Sequence, residues 1–552
     1  MATLTSHPEP TLVAASTNIG HALVFENATE QREPITLHVR GRIPPWLTGS
    51  LYRTGPGTFR VASGSARGHS VNIRHWFDGL GLTHRFEIMP DGSVQYRNHS
   101  TAEGLQSRIS RAGTIPTVTF GVQDPCETLF SKFFTLFKPN TEAPRRAGKC
   151  APDEANISVT LTPNMPGIAA HHSASTTPSL RNLVAKSDQN ALQILHPETL
   201  DPLRVMTYTQ LDPRLDGQIS AAHSCHDPTT GEFFNFTLKL GPSPTYKVFR
   251  IRPEDGKPPQ TKGHTVDILA EIRDAPAAYL HSFAMTQKYV VLCVWQADFS
   301  YYGISVGLNR NLAGSFKKWD PKRDTLFYVI DRNDGGVVAK FNAPPFFNFH
   351  KLNSYDSGAD DIVIDLAVYD THSVIDLLYL DKLRNLDENI YARLTRARRY
   401  VLKDVGQNKG HIRPAEIEFT LAHELNIELP TIHPALYYKP YRYAYGINKA
   451  DPTVQSFADR IIKLDMFDLT AKPKLWGAPG YVPGEPIFIP RPGSNPRGGE
   501  DEGVVLSVVL DADAQKSMLV ILNAKDLKEE ARAEMQTHVP MGFHGAWVKR
   551  AK

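Results

Sequence analysis

Four of the chain's 21 histidines stand in surroundings where an imidazole could do chemistry. His223 lies in Ala221-Ala-His-Ser-Cys-His-Asp-Pro228, His281 in Tyr279-Leu-His-Ser-Phe283, His350 in Phe346-Phe-Asn-Phe-His350, and His544 in Met541-Gly-Phe-His-Gly-Ala-Trp547. Each sits at the end of a strand-like segment in a different part of the chain. Gly542 and Gly545, around His544, leave the backbone open to close approach by a ligand or a metal. Neutral imidazoles converging from four segments would form a site for a divalent transition metal of borderline softness. Spacing alone leaves the ordinary alternative standing, that each is a satisfied core or surface residue, because four can be chosen from 21 in many ways.

The elements that would bring them together read as strands. From about Thr36 the chain consists of short apolar runs separated by Gly, Pro, Asn and Asp. Leu82-Thr-His-Arg-Phe-Glu-Ile88 alternates with period two, Pro90-Asp-Gly92 turns, and Ser93-Val-Gln-Tyr-Arg97 returns. The pattern recurs at Glu232 to Lys239, Tyr289 to Trp295, Thr325 to Ile330, Asp361 to Val368, Val504 to Leu510 and Ser517 to Leu522. Many short strands without a break in composition predict a propeller or a large barrel. No Gly-His to Trp-Asp period of the interaction-propeller kind is present. In a propeller, strand ends from separate blades meet on the central axis. Helical signals are few; Val374 to Glu388 and Asn389 to Leu402 read as helical insertions above a β scaffold.

A length of 552 residues admits two to four domains or one closed all-β unit. Lys+Arg 61 against Asp+Glu 58 leaves a net charge of +3, and the basic cluster Arg393 to Arg399 reads as a solvated helix face. Neither feature is a nucleic-acid footprint, and no protein partner is implied. Cys126, Cys150, Cys225 and Cys293 are isolated, which predicts a reducing compartment and excludes a zinc ribbon. No charged-then-apolar leader and no bilayer-length apolar run is present, so the expectation is a cytoplasmic protein without a transmembrane helix. Residues 1–30 are expected to form a partly disordered tail before a single domain over 31–552. Leu129, Phe130, Phe133, Phe134, Leu136 and Phe137 fall at helical spacing, flanked by Lys132 and Lys138. That face reads equally as a helix buried on the β core or as a patch dipping into a membrane leaflet.

From Gly41-Arg-Ile-Pro-Pro-Trp-Leu-Thr-Gly-Ser-Leu-Tyr-Arg-Thr-Gly-Pro-Gly57 onward the chain resembles the carotenoid cleavage oxygenase family. The likeness continues through His75-Trp-Phe-Asp-Gly79, Asp124-Pro-Cys126 with Leu129-Phe-Ser-Lys-Phe-Phe134, and Pro483-Gly-Glu-Pro-Ile-Phe-Ile-Pro490. It ends in Leu522-Asn-Ala-Lys-Asp-Leu527 and Phe543-His-Gly545, covering nearly the whole chain apart from the N-terminal tail. The resemblance implies a seven-bladed β-propeller with a helical and loop cap over its axis. It also implies a non-haem Fe(II) held by His223, His281, His350 and His544, with O2 as co-substrate. Four neutral ligands leave the full charge of the ion uncompensated, so outer carboxylates that accept the imidazole N–H groups become important. By the family pattern these are Asp188 for His281, Glu428 for His350 and Glu485 for His544, with His223 left without an acid. Position 188 departs from that pattern, since many members carry glutamate there.

The activity implied is oxidative cleavage of a C=C bond in a carotenoid or apocarotenoid of the torulene, β-carotene or apocarotenal type. Phe346, Phe347, Phe349 and Phe543 are candidate walls of an apolar substrate tunnel, with core packing as the alternative. A tunnel opening beside the Leu129 to Phe137 run would make the protein peripherally membrane-associated. Two other branches of the family are alternatives. Stilbene-cleaving members carry a lysine directly before the outer acid; here Ser187 takes that place, and Lys186 would face the opposite side of a strand. The retinoid isomerohydrolase branch acts on retinyl esters and resembles this chain in the same Asp-Pro-Cys and Asn-Ala-Lys-Asp-Leu segments.

Overall fold

Runs rich in valine, isoleucine and aromatic residues, bounded by turn residues, become strands wherever both faces or one face can be buried. The computed structural model describes residues 21–64, 69–115, 119–120, 151–169, 180–253, 264–309, 311–386, 394–407, 410–451 and 456–550. Within them the expected strands occur as Leu80–Ile88, Val94–Ser100, Phe233–Lys239, Tyr289–Val294, Thr325–Asp331, Asp361–Tyr369, Gly503–Asp511 and Lys516–Asn523.

Five sheets of four or five strands succeed one another between Thr160–Pro163 and Lys474–Trp476, and within them one pairing is parallel, that of Ile412–Pro414 with Val337–Ala343. A ten-stranded sheet holds both ends of the described chain. In it Ile35–Gly41 pairs with Glu529–Glu534 on one side and Val94–Ser100 on the other. The same sheet joins Gly49–Thr58 to the last strand, His544–Lys549, with Thr54 opposite His544. The architecture is all-β and propeller-like. Apolar side chains fill the spaces between neighbouring sheets, as where Leu352, Val363 and Ala397 meet Ile432, Ala444 and Ile462. The largest cluster gathers inner strands of several sheets and includes Trp76, Phe283, Trp295, Phe349 and Phe543.

Two helical expectations are corrected. Of the segment Asn389 to Leu402, residues Arg396–Leu402 form a strand between Asp361–Tyr369 and Glu416–Thr420. Arginine, alanine and leucine favour a helix locally, but backbone pairing on both edges and cross-strand contacts override that preference. The basic cluster is accordingly no solvated helix face: Arg399 donates to buried Asp365 at 2.8 and 3.0 Å. Val374 to Glu388 is not one helix but two single turns, Val374–Leu377 and Leu380–Leu383, broken at Tyr379 by an extended backbone. Of residues 21–30, counted with the tail, Val24 and Phe25 are buried, and Met541 N–H donates to Val24 O at 3.0 Å. Cys225 and Cys293 are buried free thiols. The Leu129, Phe130, Phe133, Phe134 and Phe137 run lies outside the described residues, as do Cys126 and Cys150. Among the described residues no helix is long and apolar enough to cross a membrane.

Candidate metal centre

The four singled-out histidines meet. One ring nitrogen from each of His223, His281, His350 and His544 lies within 4.8 Å of the other three. Each comes from a different stretch of backbone. His223 sits in the loop between Ile219–Ser220 and Cys225–His226, and its N–H donates to His281 O at 3.1 Å. His281 precedes Ala284–Met285, and His350 lies in Phe347–Ser357, where the register slips between Asn348 and Lys351. His544 opens the last strand. A side chain at Gly545 would collide with Tyr52 O and Arg53 Cδ at 2.6 Å, so glycine there lets this strand reach its neighbour.

Three of the rings are held from outside by carboxylates. His281 Nδ1 is 2.9 Å from Asp188 Oδ1, His350 Nδ1 is 2.5 Å from Glu428 Oε2, and His544 Nδ1 is 2.7 Å from Glu485 Oε1. Asp188 therefore reaches its histidine with the shorter arm. Among the described residues no carboxylate pairs with His223. A carboxylate accepting the Nδ1 proton fixes the tautomer and turns the Nε2 lone pair inward. The inward atoms include a buried, unpartnered His350 Nε2, and His223 and His544 Nε2 facing each other at 2.9 Å.

Each carboxylate is in turn fixed by a second donor that the sequence reading did not single out. Tyr279 O–H donates to Asp188 Oδ2 at 2.9 Å, Tyr369 O–H to Glu428 Oε1 at 2.8 Å, and the Arg53 guanidinium to Glu485 Oε2. Backbone N–H groups of Leu429 and Gly545 add donations of 2.7 and 2.8 Å to Glu428 and Glu485. Tyr279 was legible as the same-face neighbour of His281 two residues on; nothing local marks Arg53 or Tyr369.

Burial and the three neighbouring histidines hold His223 well below the usual histidine range. Burial likewise pulls His544 down to about 4 against the opposing effect of Glu485. Burial opposes ionisation of Glu485 and Glu428, but their histidines, with Arg53 in the case of Glu485, outweigh it and keep both below the ordinary carboxylate range. Burial first, then the adjacent carboxylates, hold Tyr279 and Tyr369 well above their usual values, so both remain donors. Three carboxylates and one guanidinium leave two negative charges around the four imidazoles. That balance and the convergent nitrogen donors fit a divalent transition ion.

Above the cluster lies an apolar cavity of about 130 Å³ bordered by His281, His350 and His544. Phe349 and Phe543 line it. Phe346 and Phe347 do not: Phe346 stacks on Tyr400 at 5.2 Å, and Phe347 is fully buried. Phe77 lines the cavity too, its ring 5.4 Å from Phe543, 5.7 Å from Phe349 and 6.4 Å from His281. Its segment was noticed, its role was not. Ser187 and Asp188 border this cavity, whereas Lys186 borders a separate one.

A family model described as retinal pigment epithelial membrane protein matches residues 24–549. The chain belongs to that family. A carotenoid dioxygenase of Neurospora crassa is 35% identical over 95% of this chain and 90% of its own length. A torulene dioxygenase of Fusarium fujikuroi is 34% identical over 96% and 93%. Among solved structures, a mutant of Synechocystis apocarotenoid oxygenase superposes with a TM-score of 0.73 at 22% identity, over 96% of this chain and 99% of that chain.

Proposed function

We propose that the protein is a non-haem Fe(II)-dependent dioxygenase that cleaves a C=C bond of a carotenoid or apocarotenoid to two carbonyl products. The observation that carries this is the four-histidine cluster, its nitrogens facing inward and its outer N–H groups held by carboxylates, beneath an apolar cavity. His223, His281, His350 and His544 would hold the iron, and Asp188, Glu428 and Glu485 would orient three of them. When bound, ferrous iron supplies the dioxygen chemistry that a protein side chain cannot. The chain's own part is positioning. Phe77, Phe349 and Phe543 present ring faces and edges to a conjugated chain and keep water away from the histidines. The relatives named for carotenoid and torulene cleavage support this substrate class.

A seven-bladed count is supported by the ten-stranded sheet, which divides at Ile35–Gly41 into two groups of strands beside the five separate sheets. Ile115, Thr119 and Phe120 border the cavity. An apolar polyene dissolves in a membrane, which favours a peripheral membrane location with the Leu129 to Phe137 run as the candidate contact. Among the described residues lining the cavity no ammonium stands beside Asp188 for a phenolate, which favours carotenoids over stilbenes.

The test is incubation of iron-loaded protein with β-carotene, a monocyclic carotene, an apocarotenal, resveratrol and a retinyl ester under labelled O2. Label in aldehydes from the carotenoid substrates is the expected result. Products from resveratrol alone, or retinol from the ester without label, would overturn the assignment.

A further inference from the structure

A second cavity, of about 500 Å³, borders His223, His350 and His544 and is lined by Lys186 and Lys351. Buried cations elsewhere have anionic partners. Arg53, Arg85, Arg250, Arg332, Lys449 and Lys463 each have a carboxylate oxygen within 4 Å. Lys186, only 2% exposed, has none among the described residues. Its Nζ donates to Ser224 Oγ and lies 5.3 Å from the Phe233 ring centre. Lys351 likewise meets no carboxylate; its Nζ contacts Cys225 Sγ at 2.8 Å and Phe283 O at 2.9 Å. Glu485 borders the cavity, but its charge is engaged by Arg53 and His544. A buried ammonium without a counter-charge is unfavourable unless it loses its proton or gains an anion. Burial, opposed by Cys225 and reinforced by Lys351, draws Lys186 down to about 7, so the charged form is within easy reach of a partner.

We propose that this cavity is a binding site for a small, singly charged carboxylate-type anion held by the Nζ groups of Lys186 and Lys351. The rest of the lining favours this class. Leu161, Leu352, Leu429 and Trp547 are apolar, Ser224 offers a hydroxyl, and among the described residues no guanidinium presents the fork that phosphate prefers. Acetate and bicarbonate share the required chemistry and represent an organic and an inorganic source.

The test is calorimetric titration of the iron-loaded full chain with acetate, bicarbonate and phosphate at fixed ionic strength. Saturable one-to-one binding of acetate or bicarbonate is expected, weakened about tenfold or more in Lys186→Met, the usual consequence of losing a charged hydrogen bond. Lys186→Arg should retain it, and which of the two anions binds tighter identifies the source. No saturable binding, binding that persists in Lys186→Met and so belongs to the metal, or a tenfold preference for phosphate overturns the proposal. Should Lys186→Met fail to fold, saturable broadening of the 13C-acetate signal by the wild-type chain, relieved by bicarbonate, supports the site, and its absence overturns it.

Discussion

The carboxylate of Glu485 joins the two ends of the chain through one functional group: Oε1 accepts from His544 Nδ1 at 2.7 Å, while Oε2 accepts from Arg53. It orients a candidate ligand and also neutralises a buried cation. Glu485→Gln would keep the shape and lose the charge. Iron affinity or activity should fall roughly 10 to 100-fold, the usual effect of removing a partner that orients a metal-bound histidine. Metal analysis and steady-state rates would show it; wild-type values would make Glu485 a structural residue only.

Anaerobically purified protein should carry about one iron per chain, the stoichiometry of a single four-histidine site. His281→Ala and His350→Ala should each lose nearly all of it, measured by elemental analysis. Metal-replete variants with unchanged folding would refute the ligand assignment.

Asp365 is fully buried and accepts from Arg399 at 2.8 and 3.0 Å and from Tyr441 O–H at 2.8 Å. Asp365→Ala leaves the Arg399 guanidinium with only the half-exposed Glu418 carboxylate, 3.9 Å away. The expected loss is about 3–5 kcal/mol in urea unfolding. Because the pair lies outside the histidine cluster, whatever folds should still bind iron.

His75 and His84 are buried and held neutral: burial pulls each down to about 3, against 6.5 for an exposed imidazole. Between those values the unfolded chain binds more protons than the folded one. The stability these histidines contribute is therefore complete above pH 6.5, declines as pH falls, and levels off below 3. By pH 5 the loss should be about 2 kcal/mol for each. Denaturant midpoints that do not move between pH 7.5 and 5 would contradict this.

Phe77 touches Phe349, Phe543 and Phe120 at centroid distances of 5.7, 5.4 and 4.9 Å. Phe77→Ala should widen the cavity and admit polyenes in more than one register. Chromatography of cleavage products should show a broader set of chain lengths; an unchanged single product would place substrate elsewhere.

Much of the fold was legible because period-two alternation and tight turns are local signals, as in Leu80–Ile88 and its return Val94–Ser100. Arg396–Leu402 was not, because its strand identity comes from partners distant in sequence and not from its own residues. The four histidines and three acids could be named in advance through family motifs. Their geometry depends on Tyr279, Tyr369 and Arg53, whose roles follow from contacts across sheets. Phe346 and Phe349 look alike in sequence; only the path of the strand sends one into the core and the other into the cavity.

Pairing between Gly49–Thr58 and His544–Lys549 has a consequence for biosynthesis. Until His544–Lys549 has been made the early strand keeps an open edge, and Arg53 waits in an unfinished core for Glu485. The histidine cluster cannot assemble on the ribosome until its last member has been made and released from the exit tunnel. Metal loading should therefore wait until His544 has emerged, and chains that stop short of it should be recognised by chaperones through that exposed edge.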